Sequence, residues 1–166
     1  MKRIITSESV TEGHPDKICD KISDKILDTA LSQDKNSKMA VECTVKDNLV
    51  FIYGEATTKA KLDYEAIANW VLKDIGYEKT FKVIVQVSKQ SPEIHKAVMK
   101  DELGAGDQGI MFGYASNETK EYMPLPILLA NKLTRQMARI RKEDKNTPLK
   151  PDGKSQVTIE YDDNIP

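Results

Sequence analysis

The stretch TEGHPDKICDKISDKILD, residues 11–28, predicts the first helix and the first candidate site of this chain. Isoleucines recur at every fourth position and alternating aspartates and lysines cover the other side, which predicts an amphipathic helix from residue 15 to about residue 31. Proline suits its first position, because the missing N–H has no partner there. A helix start does not require a histidine, a carboxylate and an ammonium together, so His14, Asp16 and Lys17 raise the question of a functional role.

Two interpretations of this helix start are open. In the structural one, Asp16 serves only the helix dipole and His14 is a surface residue near the cap. In the functional one, His14 and Lys17 add to the anion affinity of a helix N-terminus and form a phosphate or carboxylate site. Asp16 could then hold Mg²⁺ together with waters and phosphate oxygens.

Composition narrows the class of protein. The 166 residues are 39% hydrophobic and 31% charged, with a formal net charge of −1, which is typical of a soluble globular protein. The chain lacks the excess of basic residues that would indicate a nucleic-acid partner. Its apolar stretches are too short to cross a membrane. The N-terminus lacks the apolar segment of a signal peptide, and Cys19 and Cys43 show neither metal-ligand spacing nor a disulfide framework. We therefore expect a cytoplasmic protein.

Residues 39–58 predict a β-hairpin, because apolar and polar residues alternate on both sides of a two-residue turn at 47–48. This register sets Glu42 opposite Tyr53 and makes Glu55 its diagonal neighbour, roughly 7–8 Å away on the same face. A one-residue slip would separate the two carboxylates. Considered singly, each glutamate is typical of a solvated strand residue. Two glutamates on the same face favour a site for a cation or an amino group.

The remaining pattern predicts an α+β fold in which sheets carry helices on one face. The predicted elements are a helix over 64–75 capped by Asp63 and ended by Gly76, a strand over 81–89, a strand at IMFGYAS over 110–116, a helix over 124–142 with Leu129, Leu133, Met137 and Ile140 on one side, and a strand over 155–163. Between the second and third of these, residues 90–109 show little regular pattern, which is typical of a functional loop.

GAGDQG, residues 104–109, matches the dinucleotide-binding pattern G-x-G-x-x-G only formally. That motif follows a strand and opens a helix, whereas here a loop precedes it and a strand-like segment follows. We interpret it as a flexible hinge. Asp107 within it could still contact a ligand, since glycines allow close backbone approach.

The motifs together closely resemble the S-adenosylmethionine synthetases, also called methionine adenosyltransferases. TEGHPDK and GAGDQGIMFGYA are long and unusual, and VECTV, GEATT, KQSPEI and KPDGKS follow in the order of that family. The resemblance implies the synthesis of S-adenosylmethionine from L-methionine and ATP, with triphosphate released and hydrolysed to pyrophosphate and phosphate. It also implies Mg²⁺ and K⁺ as cofactors.

The resemblance assigns roles to individual residues. They are His14 and Lys154 as catalytic residues, His14, Asp107, Asp152 and Lys154 as ATP contacts, Glu55 and Gln90 as methionine contacts, Asp16 as the magnesium ligand and Glu42 as the potassium ligand. The segment from about Ser91 to Leu103 looks like the mobile lid of the family.

The resemblance also implies an organisation. We expect an amino-terminal domain over 1–90, a mobile active-site loop over 91–109 and a partial central domain over 110–166, with the chain truncated after the start of that central domain. Such a chain would be a fragment, an interrupted gene or part of a split protein, and we expect it to be inactive alone. The family implies a homodimer or homotetramer with shared active sites, and the valines of 83–87 or those of 41–45 could form the interface.

Two other functions are left open. The chain could be a non-catalytic binding module that retains the start of the fold, or a protein that binds ATP or polyphosphate without methionine transfer. Binding of Mg·ATP and of methionine would separate these possibilities.

Overall fold

The computed structural model describes residues 2–89 and 109–162. These residues form an α+β arrangement of two sheets with helices, as the sequence predicts. The elements are β1 (Arg3–Val10), α1 (Pro15–Gln33), β2 (Lys38–Lys46), β3 (Leu49–Thr57), α2 (Tyr64–Ile75), β4 (Lys82–Lys89), α3 (Leu125–Glu143) and β5 (Lys154–Tyr161). None of the helices in these ranges is long and apolar enough to span a membrane.

The chain divides into two compact units. The three-stranded unit comprises residues 19–71 and 79–113, and the two-stranded unit comprises residues 1–18, 72–78 and 114–166.

The three-stranded unit contains a mixed sheet in the order β2-β3-β4, with β2 and β3 antiparallel and β3 and β4 parallel. One face of the sheet is buried, with Val50 and Ile52 fully inaccessible. Helix α1 covers this face, since the thiol of Cys43 on β2 donates a hydrogen bond to the carbonyl of Cys19 on α1. The isoleucine stripe of α1 is buried as predicted, with Ile22 and Ile26 inaccessible to solvent.

The predicted hairpin register is confirmed. Lys46 faces Leu49 across a two-residue turn, Glu42 faces Tyr53 and Glu55 faces Ala40. Asp47, the first turn residue, adopts a φ of 56°, a conformation that aspartate tolerates. The glutamates therefore occupy diagonal positions on the outer face of the sheet.

Both ends of α2 also follow the sequence. Asp63 caps the first turn through a 2.9 Å hydrogen bond that its carboxylate accepts from the N–H of Ala66. At the other end, Gly76 has a φ of 107°, and the N–H groups of Gly76 and Tyr77 return to the carbonyls of Lys73 and Leu72. This is a Schellman motif, and it sets the position of Tyr77.

The two-stranded unit pairs β1 antiparallel with β5, from Arg3 opposite Tyr161 to Val10 opposite Lys154. Helix α3 packs on both strands through short polar contacts. The hydroxyl of Ser9 lies 2.9 Å from that of Thr134, and Ser155 donates a 2.8 Å hydrogen bond to the carbonyl of Ala130. The side chain of Tyr161 is buried, and its hydroxyl donates a 2.6 Å hydrogen bond to Glu118.

Two predictions about the second half of the chain are wrong. Residues 110–116 form no strand, because no strand in the described ranges pairs with them, and the side chains of Met111 and Phe112 are about nine-tenths exposed. Helix α3 buries Ala130 and Thr134, whereas Leu133 and Ile140 of the predicted apolar face are exposed. Small residues occupy the buried side because β1 and β5 approach it closely through their serines.

Candidate active site

The loop before α1 is fastened to the turn before β5 by main-chain hydrogen bonds. The N–H of Thr11 donates to Gly153, and the N–H of Gly13 donates to Pro151. The buried hydroxyl of Thr11 donates to the Pro151 carbonyl at 2.6 Å. We call this arrangement the clasp, comprising residues 11–13 and 151–153. It brings the GHPDK and KPDGK motifs together within the two-stranded unit.

Gly13 is required by the clasp. A Cβ atom at this position would lie 2.4 Å from the carbonyl carbon and from Cβ of Pro151. No real contact is that short, so a side chain would force the two loops apart.

His14 caps α1 with its imidazole. The N–H of Asp16 donates to Nδ1 of His14 at 3.3 Å, in the way that an N-cap oxygen accepts from the second helical residue. In the neutral ring this bond puts the proton on Nε2, which is then available as a donor. The carboxylate of Asp16 lies 3.7 Å from the same Nδ1 and is largely exposed.

Lys17 contributes less to a possible anion site than the sequence suggests. Its ammonium donates to the carbonyl of Val10 at 3.0 Å, which ties the end of β1 to the first turn of α1. The helix start therefore presents a histidine and an exposed aspartate, with the lysine partly engaged by the main chain.

Tyr77 adds a support that the sequence did not indicate. Its hydroxyl donates to the carbonyl of Gly13 at 2.7 Å. Burial raises the pKa of this phenol, the negative charge of Asp152 raises it further, and Arg141 opposes the increase. Tyr77 thus lies between the loop of His14 and the turn of Asp152. The motif IGY, residues 75–77, supplies it through the Schellman turn.

A second unpredicted support is an ion pair at Glu12. Arg141 and Lys142 of α3 both donate to its carboxylate, and the side chains of Glu12 and Arg141 are only 13% and 12% exposed. A pair this shielded is costly to break from one side, because the other charge remains buried. It fastens the same loop to α3.

Lys154, at the start of β5, is paired with Glu8 of β1. The ammonium lies 3.4 Å from Oε2 of Glu8, and both side chains are more than half exposed. Such a pair is weak and can open to admit an anion. Asp152, two residues earlier, is exposed on the turn of the clasp.

Glu42 and Glu55 lie in the three-stranded unit. Glu42 is exposed and Glu55 is half-buried. Phe51 and Tyr53 stack beside them on the same face, with ring centroids 5.2 Å apart. No salt bridge to either glutamate occurs among the residues that the structure describes.

A depression of about 640 Å³ lies at the ends of β3 and β4 in the three-stranded unit. Asp34, Lys59 and Lys89 border it, and none of the predicted site residues in the described ranges does. Gln90, Asp107 and the predicted lid lie outside the described residues.

Metal ligands are sparse in the described part of the chain. No group of three or more His, Cys, Asp or Glu side chains there forms a site for a metal ion. A single exposed carboxylate such as Asp16 does fit Mg²⁺, which keeps most of its waters and takes further oxygens from a bound phosphate. On the hairpin, Glu42 presents one exposed carboxylate.

Comparison with known proteins identifies the family. The family model described as S-adenosylmethionine synthetase, N-terminal domain, matches residues 2–98, and that described as S-adenosylmethionine synthetase, central domain, matches residues 102–166. The chain is 49% identical to the S-adenosylmethionine synthase of Trichormus variabilis, with 98% of this chain and 44% of that protein covered. It is 47% identical to the S-adenosylmethionine synthase of Thermosynechococcus vestitus, with 100% of this chain and 45% of that protein covered.

The chain therefore belongs to the S-adenosylmethionine synthetase family, and the resemblance seen in the sequence is confirmed. It carries the amino-terminal domain and sequence of the central domain. It spans less than half the length of the curated relatives it matches.

Proposed function

We propose that this chain provides part of a site in which methionine and ATP form S-adenosylmethionine in the cytoplasm. The methionine sulfur attacks C5′ of the ribose, triphosphate leaves, and hydrolysis then gives pyrophosphate and phosphate. Membership of the family supports this reaction. The observation that carries it for this chain is the clasp, because it joins the loop of His14 and Asp16 to the turn of Asp152 and Lys154.

The physical task explains these residue types. A thioether is a weak nucleophile and triphosphate is a highly charged leaving group. The site must therefore align sulfur with C5′ and stabilise the charge that develops on the leaving oxygen.

His14 is proposed as the donor to that oxygen. Its Nδ1 accepts the capping hydrogen bond, so the neutral ring offers Nε2–H. The cap also fixes the ring, which reduces the reorganisation that charge stabilisation would otherwise require.

Asp152 and Lys154 are proposed to contact ATP, with Lys154 exchanging the carboxylate of Glu8 for a phosphate oxygen. Asp16 would hold Mg²⁺ on the phosphates, where the ion supplies neutralisation of negative charge. Asp107 is proposed as a further ATP contact.

On the hairpin, Glu42 is proposed as the K⁺ ligand and Glu55 as the acceptor of the methionine ammonium, with Gln90 as a second methionine contact. The shared outer face of the two glutamates supports this pairing.

The division into domains over 1–90 and 110–166 around a mobile loop stays a prediction.

The test is calorimetric titration of the 166-residue chain with Mg·ATP and, separately, with methionine. We expect Mg²⁺-dependent binding of ATP that Asp16→Asn weakens at least several-fold. Asp20→Asn, an exposed aspartate one turn later on α1, should leave it unchanged. Equal losses in both variants would contradict a specific role for Asp16.

Methionine binding that is present in the wild-type chain and absent in Glu55→Gln would support the assignment of Glu55 as a methionine contact. ATP binding without any methionine binding would instead favour a nucleotide-binding module.

We also propose that the isolated chain does not turn over. The relatives are more than twice as long as this chain, so the 166 residues have no counterpart to more than half of each relative. Loss of even one hydrogen-bond donor to the transition state can lower the rate by roughly 10²–10³. Formation of S-adenosylmethionine by the purified chain, abolished by His14→Ala, would overturn this proposal.

A further inference from the structure

The depression at the ends of β3 and β4 is bordered by none of the active-site residues proposed above, as far as the described ranges extend. Its volume of about 640 Å³ is within the range of small-molecule sites. Ala56 and Lys89 pair at the two strand ends and border it, whereas Glu55 of the outer face does not. The depression is therefore a separate feature of the three-stranded unit.

One wall of the depression is the segment directly after β3, residues 58–60, which is neither helix nor strand. Hydrogen bonds nevertheless fasten it to the turn after α1. The N–H of Lys59 donates to Oδ2 of Asp34 at 2.9 Å, and the hydroxyl of Thr58 lies 2.7 Å from that of Ser37. The main chain that carries Lys59 is thus fixed before any ligand arrives, which lowers the entropic cost of binding.

The charged groups on the rim favour an anion. Lys59 and Lys89 border the depression, and neither ammonium forms a salt bridge within the part of the chain that the structure describes. Asp34 is the single carboxylate among the described lining residues, and its two oxygens accept the main-chain N–H groups of Asn36 and Lys59. The two lysines are therefore left to bind a negative group from solution.

Tyr64, the first residue of α2, supplies a neutral hydrogen-bond donor to the same depression. Its side chain is half-buried, and burial raises the pKa of the phenol, so the hydroxyl stays protonated at neutral pH. Ala56 and Val87 add a small apolar area beside it. Ammonium groups, a phenol and some apolar surface together suit an acidic group that is carried by a small molecule.

We propose that this depression is a further binding site, which takes a small molecule through a phosphate or carboxylate group held by Lys59 and Lys89. Tyr64 donates a hydrogen bond to an oxygen of the same ligand. Ammonium groups bind both kinds of oxyanion as point charges, so the chemistry of the site is shared by the two. The inference does not depend on the proposed reaction.

The test is an NMR titration of the ¹⁵N-labelled 166-residue chain at constant ionic strength, with inorganic phosphate in one arm and succinate in the other. We expect saturable shifts of the amide signals of residues 57–59 and 87–89. The arm that saturates at the lower concentration identifies the class of anion. Shifts confined to residues 11–16 and 152–154 would overturn the proposal, and so would shifts that saturate in neither arm.

Variants test whether the lysines form a site. Lys59→Gln and Lys89→Gln should each weaken the binding at least about threefold, the loss expected for one exposed charge contact. Lys61→Gln is the matched control, because Lys61 is an exposed lysine of the same segment that does not border the depression. Unchanged affinity in both site variants, or an equal loss in Lys61→Gln, would contradict the proposal.

A last variant separates this site from the proposed function. Lys154→Gln removes a proposed ATP contact and should leave the shifts of residues 57–59 and 87–89 unchanged. Loss of those shifts in Lys154→Gln would mean that the anion binds elsewhere and would overturn the proposal. Since the titration uses no nucleotide, failure of the proposed function would leave this result untouched.

Discussion

At the scale of single residues, the two nitrogens of His14 allow one imidazole to serve both the observed helix cap and the proposed chemistry. Nδ1 accepts the N–H of Asp16 and completes the first turn of α1. Nε2 then carries the proton that the proposed reaction requires. An asparagine cap could perform the first task, but its amide N–H does not extend as far as the Nε2–H of histidine.

Exchange of His14 should therefore distinguish helix capping from chemistry. We expect His14→Asn to keep the stability of wild type within a few tenths of a kcal/mol, because an amide oxygen can replace Nδ1. His14→Ala should lose about 1 kcal/mol. Urea denaturation measures both effects.

Both variants should lose the same share of Mg·ATP affinity if Nε2–H contacts the nucleotide. Full affinity in His14→Asn would show that His14 serves as a cap alone.

Gly13→Ala tests the clasp. The added Cβ would overlap Pro151, so we expect destabilisation of roughly 1–3 kcal/mol, measured by urea unfolding. Gly113→Ala is the matched control, because nothing lies within 4 Å of a Cβ at that position. Similar stability of the two variants would mean that the loops separate without cost.

The motif around His14 was visible in the sequence, but its supports were not. Hydrophobic periodicity predicts the helix and Pro15 predicts its first residue, but neither carries information about which distant side chain holds the loop. Tyr77 and Arg141 lie 64 and 129 residues from their partners Gly13 and Glu12. Such contacts follow from tertiary packing alone.

At the scale of elements, local signals decided which predictions succeeded. The hairpin register was predictable because a two-residue turn permits one pairing, and α2 was predictable because both of its caps are encoded locally. Strand β1 was missed, because RIITSESV lacks clear alternation and gains its order from β5. IMFGYAS has strand-like composition without a pairing partner in the described residues.

The turn after α1 contains a carboxylate, Asp34, whose contribution to stability should depend on pH. Oδ1 of Asp34 accepts the N–H of Asn36, Oδ2 accepts that of Lys59 at 2.9 Å, and these bonds hold the pKa of Asp34 below its ordinary value of 3.8. A depressed folded-state pKa stabilises the fold above the ordinary value, and the stabilisation is lost as pH falls through the lowered one. Asp34→Asn should thus lower the urea midpoint at neutral pH, and the difference from wild type should shrink as pH falls from about 7 to about 3.

Asp28→Asn, at an exposed position on α1, is the control for this experiment. A difference between wild type and Asp34→Asn that stays constant across the range would refute the assignment to ionised Asp34.

At the scale of the whole molecule, the outer face of the three-stranded sheet exposes several apolar side chains on one flat surface. Leu49, Phe51, Tyr53 and Ile84 share it, and Tyr53 and Ile84 are about 40% exposed. Both interfaces predicted from the sequence, the valines of 83–87 and those of 41–45, lie on the opposite face together with Val50 and Ile52, where Val41 is buried within its own unit. We therefore propose that a homo-oligomer would use the outer face.

Tyr53→Lys should weaken self-association, because it places a charge at the centre of that face. Sedimentation velocity over a range of concentrations measures the effect. Leu133→Lys, an exposed apolar position on α3, is the matched control. Equal sedimentation of both variants and wild type would contradict an interface at this face.

The clasp also bears on how the polypeptide matures during translation. The carbonyl that anchors the Thr11 hydroxyl belongs to a residue 140 positions downstream. A ribosome must therefore have synthesised Pro151 before the histidine loop can settle, and contacts this distant in sequence form slowly. Nascent chains that already possess the hairpin should still lack an ordered loop at His14.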